Sequence, residues 1–391
     1  MKNNPRSNIP DFAALILWIA ASLMLAWLAY AGGGVDFNVY YAAARVTLNG
    51  GNPYDYSQLA AEIVSVTGIN NPYYYLPWFT WSMSPLAMLP YQIARGLWSL
   101  INVALWFFAL LNLQKILDRP PAGWKRWSMY LLVTVLFAWT TWGFEQVGIL
   151  ILFLLTLSLL ALKKENWLTA GIWFALLLFK PNITALPIAS ILLWFILKRN
   201  WRPAFATGLS TLLLLSASFL LTPDWLQTLL TPDKLMGLAY KFDESGGLDL
   251  IRYNTTLKDW LAVYNVGGTL ATVIYAAVAV SGLGILGWTV FRSTSLAQVT
   301  AIALLVAFAI TPYALYYDYP ALTLTLFHAN DVALSKPALK WTRFALNALV
   351  LFSLFVGTTI SYRYWTTITI AAVMAFRYAA AKTDSQVGLP V

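Results

Sequence analysis

Four sites along the chain place ionisable or amide side chains at the ends of apolar segments, where they could carry chemistry. They are Asp36, Glu145-Gln146, Lys180 and Asp318. An ionisable group held at the depth of the hydrocarbon is costly and therefore indicates a functional site. A carboxylate can take a proton from a hydroxyl group, and a lysine can balance the charge of a phosphate. One lysine and a few carboxylates facing a single cavity would suit a lipid phosphate and a sugar.

The elements that must position these side chains are membrane-spanning helices. Of the 391 residues, 60% are hydrophobic and 10% are charged, whereas about 25% of an ordinary globular domain is charged. Apolar runs such as Phe12–Ala31 and Val266–Phe291 approach or exceed the roughly 20 residues that cross about 30 Å of hydrocarbon. We therefore predict an all-α polytopic membrane protein, and the composition excludes a cytosolic enzyme.

About twelve crossings are predicted, within one transmembrane domain over residues 1–391. The crossing segments are 12–31, 94–117, 127–143, 147–162, 167–179, 182–197, 203–221, 266–291, 296–311, 319–329, 341–358 and 364–380. Segment 76–90 has only 15 residues and holds three prolines, which break helical hydrogen bonding, so we interpret it as a juxtamembrane or re-entrant element. An outer loop over 32–93 is expected to carry juxtamembrane helices, and a second outer loop covers 222–265.

The basic residues are distributed unevenly between the two faces that this topology creates. The face with both termini carries 17 Lys and Arg and 5 Asp and Glu, and the other carries 8 and 11, so the net charge of +9 divides into +12 and −3. Because cytoplasmic loops carry an excess of Lys and Arg, both termini are predicted to be cytoplasmic. The four sites then lie on the extracytoplasmic face of a plasma membrane, and the positive charge requires no nucleic-acid partner.

The helix before Lys180, although counted among the crossings, is short enough to end before it clears the hydrocarbon core. From Leu168 to Phe179 there are 12 residues, about 18 Å at about 1.5 Å per residue, against roughly 30 Å of hydrocarbon. The hairpin at Lys180 is therefore predicted to lie inside the helix bundle, at the depth of the outer leaflet. Asp318 follows a similarly short helix.

Each of these residues also has a purely structural interpretation. Asp36 could cap the helix that follows it, and Glu145 could be an interfacial charge. Lys180 could extend to the interface or pair with Asp318. Aromatic residues favour membrane interfaces, but some could instead stack on sugar rings, and the candidates are Tyr40, Tyr41, Tyr73, Tyr74 and Tyr75.

Some kinds of chemistry are excluded by what the sequence lacks. There is no cysteine and a single histidine, His328, so thiol catalysis, disulfides and a Ser-His-Asp hydrolase are not expected. His328 is predicted at the cytoplasmic end of its helix, away from the chemistry. No cofactor and no metal are predicted, although a cation between Asp36, Glu145 and Asp318 stays an open alternative, because oxygen-rich sites suit Mg²⁺ or Mn²⁺.

Several motifs occur in an order that is similar to a known family. They are Asp36-Phe37-x-x-Tyr40-Tyr41-x-Ala43-Ala44, Gly50-Gly51-Asn52-Pro53-Tyr54, Tyr75-Leu76-Pro77, Pro85-Leu86-Ala87-Met88-Leu89-Pro90, Gln146, Lys180-Pro181 and Thr311-Pro312 leading to Tyr316-Tyr317-Asp318. This order resembles glycosyltransferase family 87 over roughly residues 30–320. Where many family members carry histidine after the late Ser/Thr-Pro, this chain has Tyr316, Tyr317 and Asp318.

The resemblance implies a GT-C fold and an inverting enzyme. It implies transfer of a hexose, with mannose the expected sugar, from a polyprenyl-phosphate donor to a lipid or glycan acceptor in contact with membrane lipid. Asp36 is then the candidate catalytic base, and Lys180, Arg252 and Tyr317 are the candidates for binding the donor phosphate. The candidates for binding sugar or acceptor are Tyr40, Tyr41, Tyr75, Glu145, Gln146 and Asp318.

Two functions of other classes are alternatives to this one. A flippase or transporter of lipid-linked sugars would perform no bond chemistry and predicts polar residues through the bilayer and internal repeats. This sequence has its unusual polar residues on one face and no detectable repeat. A non-enzymatic scaffold subunit gives no reason for Lys180 to be buried beside an outer-face Asp36.

Overall fold

The computed structural model describes residues 9–32, 36–66, 73–231, 255–332, 334, 336–359 and 364–385. Within these ranges the chain is helical and contains no β-strand. The helices up to the middle of the chain are α1 Ile9–Ala31, α2 Phe37–Leu48, α3 Tyr56–Val66, α4 Pro77–Ala87, α5 Tyr91–Ile116, α6 Trp124–Val133, a π-helical turn Thr134–Ala138, α7 Trp139–Phe144, α8 Gly148–Lys163 and α9 Trp167–Leu177. The others are α10 Pro181–Leu197, α11 Arg202–Leu221, α12 Trp225–Leu229, α13 Leu257–Val263, α14 Gly268–Arg292, α15 Leu296–Ile310, a 3₁₀ helix Tyr316–Leu322, α16 Thr323–Asn330, α17 Pro337–Thr359 and α18 Tyr364–Ser385.

Among the described residues, five helical stretches are long and apolar enough to cross a membrane. They are Asp11–Ala31, Tyr91–Ile116, Trp124–Phe144, Arg202–Leu221 and Gly268–Arg292. The apolar helices α8, α9, α10 and α15 are shorter, between 10 and 17 residues. The chain is thus an all-α membrane protein, which confirms the fold class predicted from composition.

The short helix α9 is held by very close packing against α11. A Cβ added at Gly171 of α9 would lie 2.5 Å from the carbonyl carbon of Ala206 in α11. Small residues let helix backbones approach closely in a membrane, and Gly171 provides that approach here. Because α9 has 11 residues, about 16 Å in length, it ends well inside the span of its longer neighbour.

The predicted outer loop contains three helices, α2, α3 and α4, and α2 packs against both of the others. The residues of α2 from Phe37 to Ala44 are all buried, so α2 belongs to the core rather than to an exposed loop. Helix α4 has 11 residues with Pro85 inside it, about 16 Å in all. It packs on α2, α5 and α11, so it lies beside these helices and is about half as long as a crossing.

Segments that are far apart in sequence meet at one end of the bundle. The backbone N–H of Asp36 reaches the carbonyl of Phe144 at 3.4 Å, and that of Leu76 donates to Phe179 at 3.1 Å. The stretch around Asp318, where the sequence placed the junction between the predicted crossings 296–311 and 319–329, forms the 3₁₀ helix Tyr316–Leu322. Pro320 lies within this helix, and its missing N–H interrupts regular α-helical bonding.

Candidate active site

Asp36 occupies the N-cap position of α2, but its side chain makes no capping hydrogen bond. Instead, its Oδ2 accepts a hydrogen bond of 2.7 Å from Nε2 of Gln146. The carboxylate is therefore held by the turn between α7 and α8 and not by its own helix. This placement differs from the structural interpretation in which Asp36 serves to cap α2.

Gln146 links this carboxylate to two tyrosines. Its Oε1 accepts from the hydroxyl of Tyr40 at 2.6 Å and from that of Tyr75 at 3.1 Å, and the two hydroxyls lie 3.0 Å apart. Because the amide oxygen serves the tyrosines, the amide NH₂ must face Asp36. The network thus directs a hydrogen-bond donor at Asp36, which suits the ionised form of its carboxylate.

Burial changes the acidity of Asp36. Desolvation raises the pKa of its carboxyl to about 6, although the hydrogen bond from Gln146 and the positive charge of Lys180 both act to lower it. A carboxylate in this range accepts a proton more readily than an ordinary aspartate and is still ionised at neutral pH. Asp36 is therefore suited to act as a general base.

Lys180 follows α9, and its side chain is buried in the protein interior. The short helix before it predicted a position inside the helix bundle. Its Nζ donates to Oδ1 of Asp318 at 2.5 Å, and the two side chains are 7% and 0% exposed. The other carboxylate oxygen of Asp318 accepts from the backbone N–H of Leu315 at 3.1 Å. A buried charge pair of this kind is held by its mutual attraction and its additional hydrogen bonds. Pairing with Asp318, one of the structural interpretations, is therefore present in the structure.

Aromatic rings surround the ammonium group of Lys180. Nζ lies 5.7 Å from the ring centroid of Tyr75 and 5.3 Å from that of Tyr317, within the range of cation–π attraction. Tyr75 thus contacts both centres, because its hydroxyl binds Gln146 and its ring faces Lys180. The structure connects the carboxylate of Asp36 to Lys180 through Gln146 and Tyr75.

The 3₁₀ helix is fixed by a very close contact with the start of α8. A Cβ added at Gly148 would lie 2.0 Å from the carbonyl oxygen of Tyr317, so only glycine fits. The same carbonyl accepts a hydrogen bond of 2.9 Å from the hydroxyl of Thr141 in α7. The position of Tyr317 and Asp318 is therefore set by the backbone of the α7–α8 hairpin.

We expect Gly148→Ala to destabilise the protein, because the new methyl group meets backbone and not a flexible side chain. Overpacking of this kind typically costs about 1–3 kcal/mol. Thermal unfolding in detergent measures the effect as a lower Tm. Gly143→Ala is the matched control, since a Cβ at Gly143 of α7 has no atom within 4 Å. Equal Tm values for the two variants would contradict the close contact.

Glu145 takes a different partner from its neighbour Gln146. Its φ of 56° is left-handed, which reverses the chain between α7 and α8. Its Oε1 pairs with Nε of Arg95 in α5 at 2.6 Å, and its backbone carbonyl accepts from the indole of Trp98 at 2.7 Å. Sugar binding by Glu145 stays a prediction. Arg95, to which the sequence assigned no role, anchors the turn that presents Gln146.

Two other predicted site residues, Tyr41 and Arg252, are not part of this network as the structure describes it. The hydroxyl of Tyr41 donates to the carbonyl of Leu89 at 2.7 Å, so it fastens α2 to the segment between α4 and α5. Arg252 lies outside the described residues. Among those that are described, no three His, Asp or Glu side chains come close enough to hold a metal ion. The carboxylates of Asp36, Glu145 and Asp318 contact Gln146, Arg95 and Lys180, respectively.

Comparison with known proteins gives one match. The model of glycosyltransferase family 87 matches residues 73–317, more than half of the chain. Neither the curated proteins nor the solved structures contain a match. The matched range includes Tyr75, Gln146, Lys180 and Tyr317; it begins after Asp36 and ends one residue before Asp318. The contact between Asp36 and Gln146 thus joins the first carboxylate to the matched region.

Proposed function

Because the chain belongs to glycosyltransferase family 87, we propose that it is an integral-membrane, inverting glycosyltransferase. It transfers a hexose, with mannose the expected sugar, from a polyprenyl-phosphate donor to a lipid or glycan acceptor. The observation that carries the proposal is the connection of Asp36 to Lys180 through Gln146 and Tyr75. A base and a cation for a departing phosphate are the two groups that such a transfer needs.

In the proposed reaction the acceptor hydroxyl attacks the anomeric carbon from the side opposite the phosphate. The bond between that carbon and the phosphate oxygen breaks, the configuration inverts, and Asp36 receives the proton of the hydroxyl. The lipid phosphate departs with its negative charge, which Lys180 stabilises because the ammonium group is already oriented by Asp318. The hydroxyls of Tyr40 and Tyr75 and the amide of Gln146 are positioned to bind sugar hydroxyls.

The proposed membrane arrangement is a GT-C fold with about twelve crossings in a plasma membrane. Both termini are cytoplasmic and the active site is extracytoplasmic, as the excess of Lys and Arg on one face supports. The short helices α8, α9, α10 and α15 act as crossings whose ends lie below the outer surface. The donor phosphate thus meets Lys180 at the depth where a polyprenyl lipid carries its head group.

We expect the transfer rate to fall at acid pH, because the base must be deprotonated. With the pKa of Asp36 raised to about 6, kcat/KM should lose about tenfold per pH unit below that value. A phosphodiester donor does not titrate in this range. Initial rates between pH 5 and 8 test this, and a rate that is constant down to pH 5 would contradict it.

We expect Gln146→Glu to shift this acidic limb to higher pH. The variant replaces the amide that donates to Asp36 at 2.7 Å by a second carboxylate, and two adjacent carboxylates raise each other's pKa. Activity at pH 7 should therefore fall and recover in part at pH 8. A pH profile with the wild-type midpoint would show that Gln146 does not orient Asp36.

The decisive experiment incubates the purified protein with polyprenyl-phosphate mannose and a panel of lipid and glycan acceptors. Mass spectrometry then shows whether an acceptor gains one hexose. We expect one acceptor to be modified and polyprenyl phosphate to be released in equal amount. If no acceptor is modified, while reconstituted protein moves the intact donor across vesicles, the protein is a transporter and the proposal fails.

A further inference from the structure

A cleft of about 550 Å³ opens at the ends of α8, α9, α10 and α11 that are remote from the proposed active site. Helix α10 begins at Pro181, next to Lys180, and has 17 residues. The cleft at the other end of this helix is thus about 25 Å from Lys180. It belongs to the opposite membrane boundary and takes no part in the arrangement around Asp36.

The cleft is lined by aromatic and basic side chains. Trp194, which is buried, and the half-buried Phe195 belong to α10. The lining also includes the exposed cations Lys163, Lys198, Arg199 and Arg202 and one carboxylate, Glu165. The excess of positive charge in a concave site attracts anions. A tryptophan beside such charges is typical of the level of lipid head groups.

Two of the four cations already have partners. Nζ of Lys163 donates to the carbonyls of Lys115 and Ile116 at 2.9 and 3.2 Å, and Nζ of Lys198 stands 3.6 Å from the ring centroid of Trp194. Within the described ranges, no ion pair involves the guanidinium groups of Arg199 and Arg202. Both are exposed, so they are the groups that an anion in the cleft would meet.

Apolar surface continues from the cleft toward the membrane centre. Large hydrophobic side chains are exposed along α9, α10 and α11, namely Leu168, Ile172, Leu193, Phe205 and Leu209. Phe205 is 73% exposed and lies one turn beyond Arg202 on α11. A ligand with an anionic head and an apolar tail therefore fits this surface better than a soluble anion does.

We propose that this cleft binds the head group of an anionic glycerophospholipid. The phosphodiester lies between Arg199 and Arg202, because guanidinium groups bind phosphate oxygens through paired hydrogen bonds. The acyl chains follow the exposed apolar surface of α9 and α11. Basic pockets between helices on the cytoplasmic side are known to receive such head groups, and the site is independent of the proposed transfer reaction.

Native mass spectrometry of the full chain in neutral detergent tests this proposal, with phosphatidylglycerol, phosphatidylcholine and inorganic phosphate as the probes. We expect phosphatidylglycerol to bind more tightly than phosphatidylcholine. Arg199→Gln/Arg202→Gln should weaken that binding on the order of thirtyfold, since each basic residue near an anionic lipid contributes about 1 kcal/mol and about 1.4 kcal/mol is tenfold.

The matched control is Lys336→Gln/Lys340→Gln, which removes two exposed positive charges that do not line the cleft. This variant should bind phosphatidylglycerol like the wild type. Equal loss in both double variants would overturn the proposal in favour of general surface charge. Displacement of the lipid by inorganic phosphate at similar concentration would overturn it in favour of a soluble-anion site.

Discussion

Asp36→Asn is expected to lower the rate of hexose transfer by about 10²–10⁴-fold, the usual contribution of a general base. The substitution changes the charge of the side chain and keeps its shape. The asparagine oxygen can still accept the hydrogen bond that Gln146 donates at 2.7 Å. Folding and donor binding should therefore persist, so the loss should appear in kcat, measured at saturating donor concentration, and not in the affinity for the donor.

A second aspartate provides a matched control for this substitution. Asp55 precedes α3, and its Oδ1 accepts from the backbone N–H of Ser57 at 2.9 Å. Asn and Asp cap helices about equally well, so Asp55→Asn should retain normal transfer. Near-normal turnover of Asp36→Asn would overturn the assignment of the base. Equal losses in both variants would point to a structural effect on this region.

The second large effect is expected at Lys180. Lys180→Met alone leaves the carboxylate of Asp318 buried without its cation, which costs about 3–5 kcal/mol, so this variant tests stability more than chemistry. The double variant Lys180→Met/Asp318→Asn removes both charges. We expect it to regain a Tm close to normal, yet to lose about 10²-fold or more in kcat/KM for the donor, because no cation faces the phosphate.

The single variant Asp318→Asn separates the two partners. It keeps Lys180 and an oxygen that can accept from Leu315, so it should retain more transfer activity than the double variant. If Lys180 served only to neutralise Asp318, the double variant would be as active as Asp318→Asn. That result would exclude phosphate binding by Lys180, and it would leave the role of Asp36 intact.

Properties that depend on composition and helix length could be predicted from the sequence. The all-α membrane class follows from apolar runs that are long enough to cross a bilayer. The burial of Lys180 follows from the short helix that precedes it, and the structure gives that helix 11 residues. The motifs also indicated the family that the comparison supports. The number of crossings and the roles of the site residues stay predictions.

The contacts that assemble the site could not be predicted, because they join positions far apart in the chain. Asp36 and Gln146 are 110 positions apart, and no local pattern encodes their hydrogen bond. The pair of Arg95 and Glu145 is 50 positions apart and depends on the left-handed backbone of Glu145. In the sequence, Gly148 resembles any other glycine at the start of a helix. Only the structure shows that the carbonyl of Tyr317 leaves no room for a Cβ at this position.

Because Tyr75 contacts both Gln146 and Lys180, Lys180 and the carboxylate of Asp36 belong to one network. In the proposed reaction, this affects the order in which the substrates bind. The positive charge of Lys180 lowers the pKa of Asp36, while the negative charge of Asp318 raises it. In the proposed reaction, the donor phosphate neutralises the charge of Lys180, and Asp36 then attracts a proton more strongly. The proposed base is thus strongest once the donor is bound. This coupling favours, in the proposed reaction, binding of the donor before the acceptor.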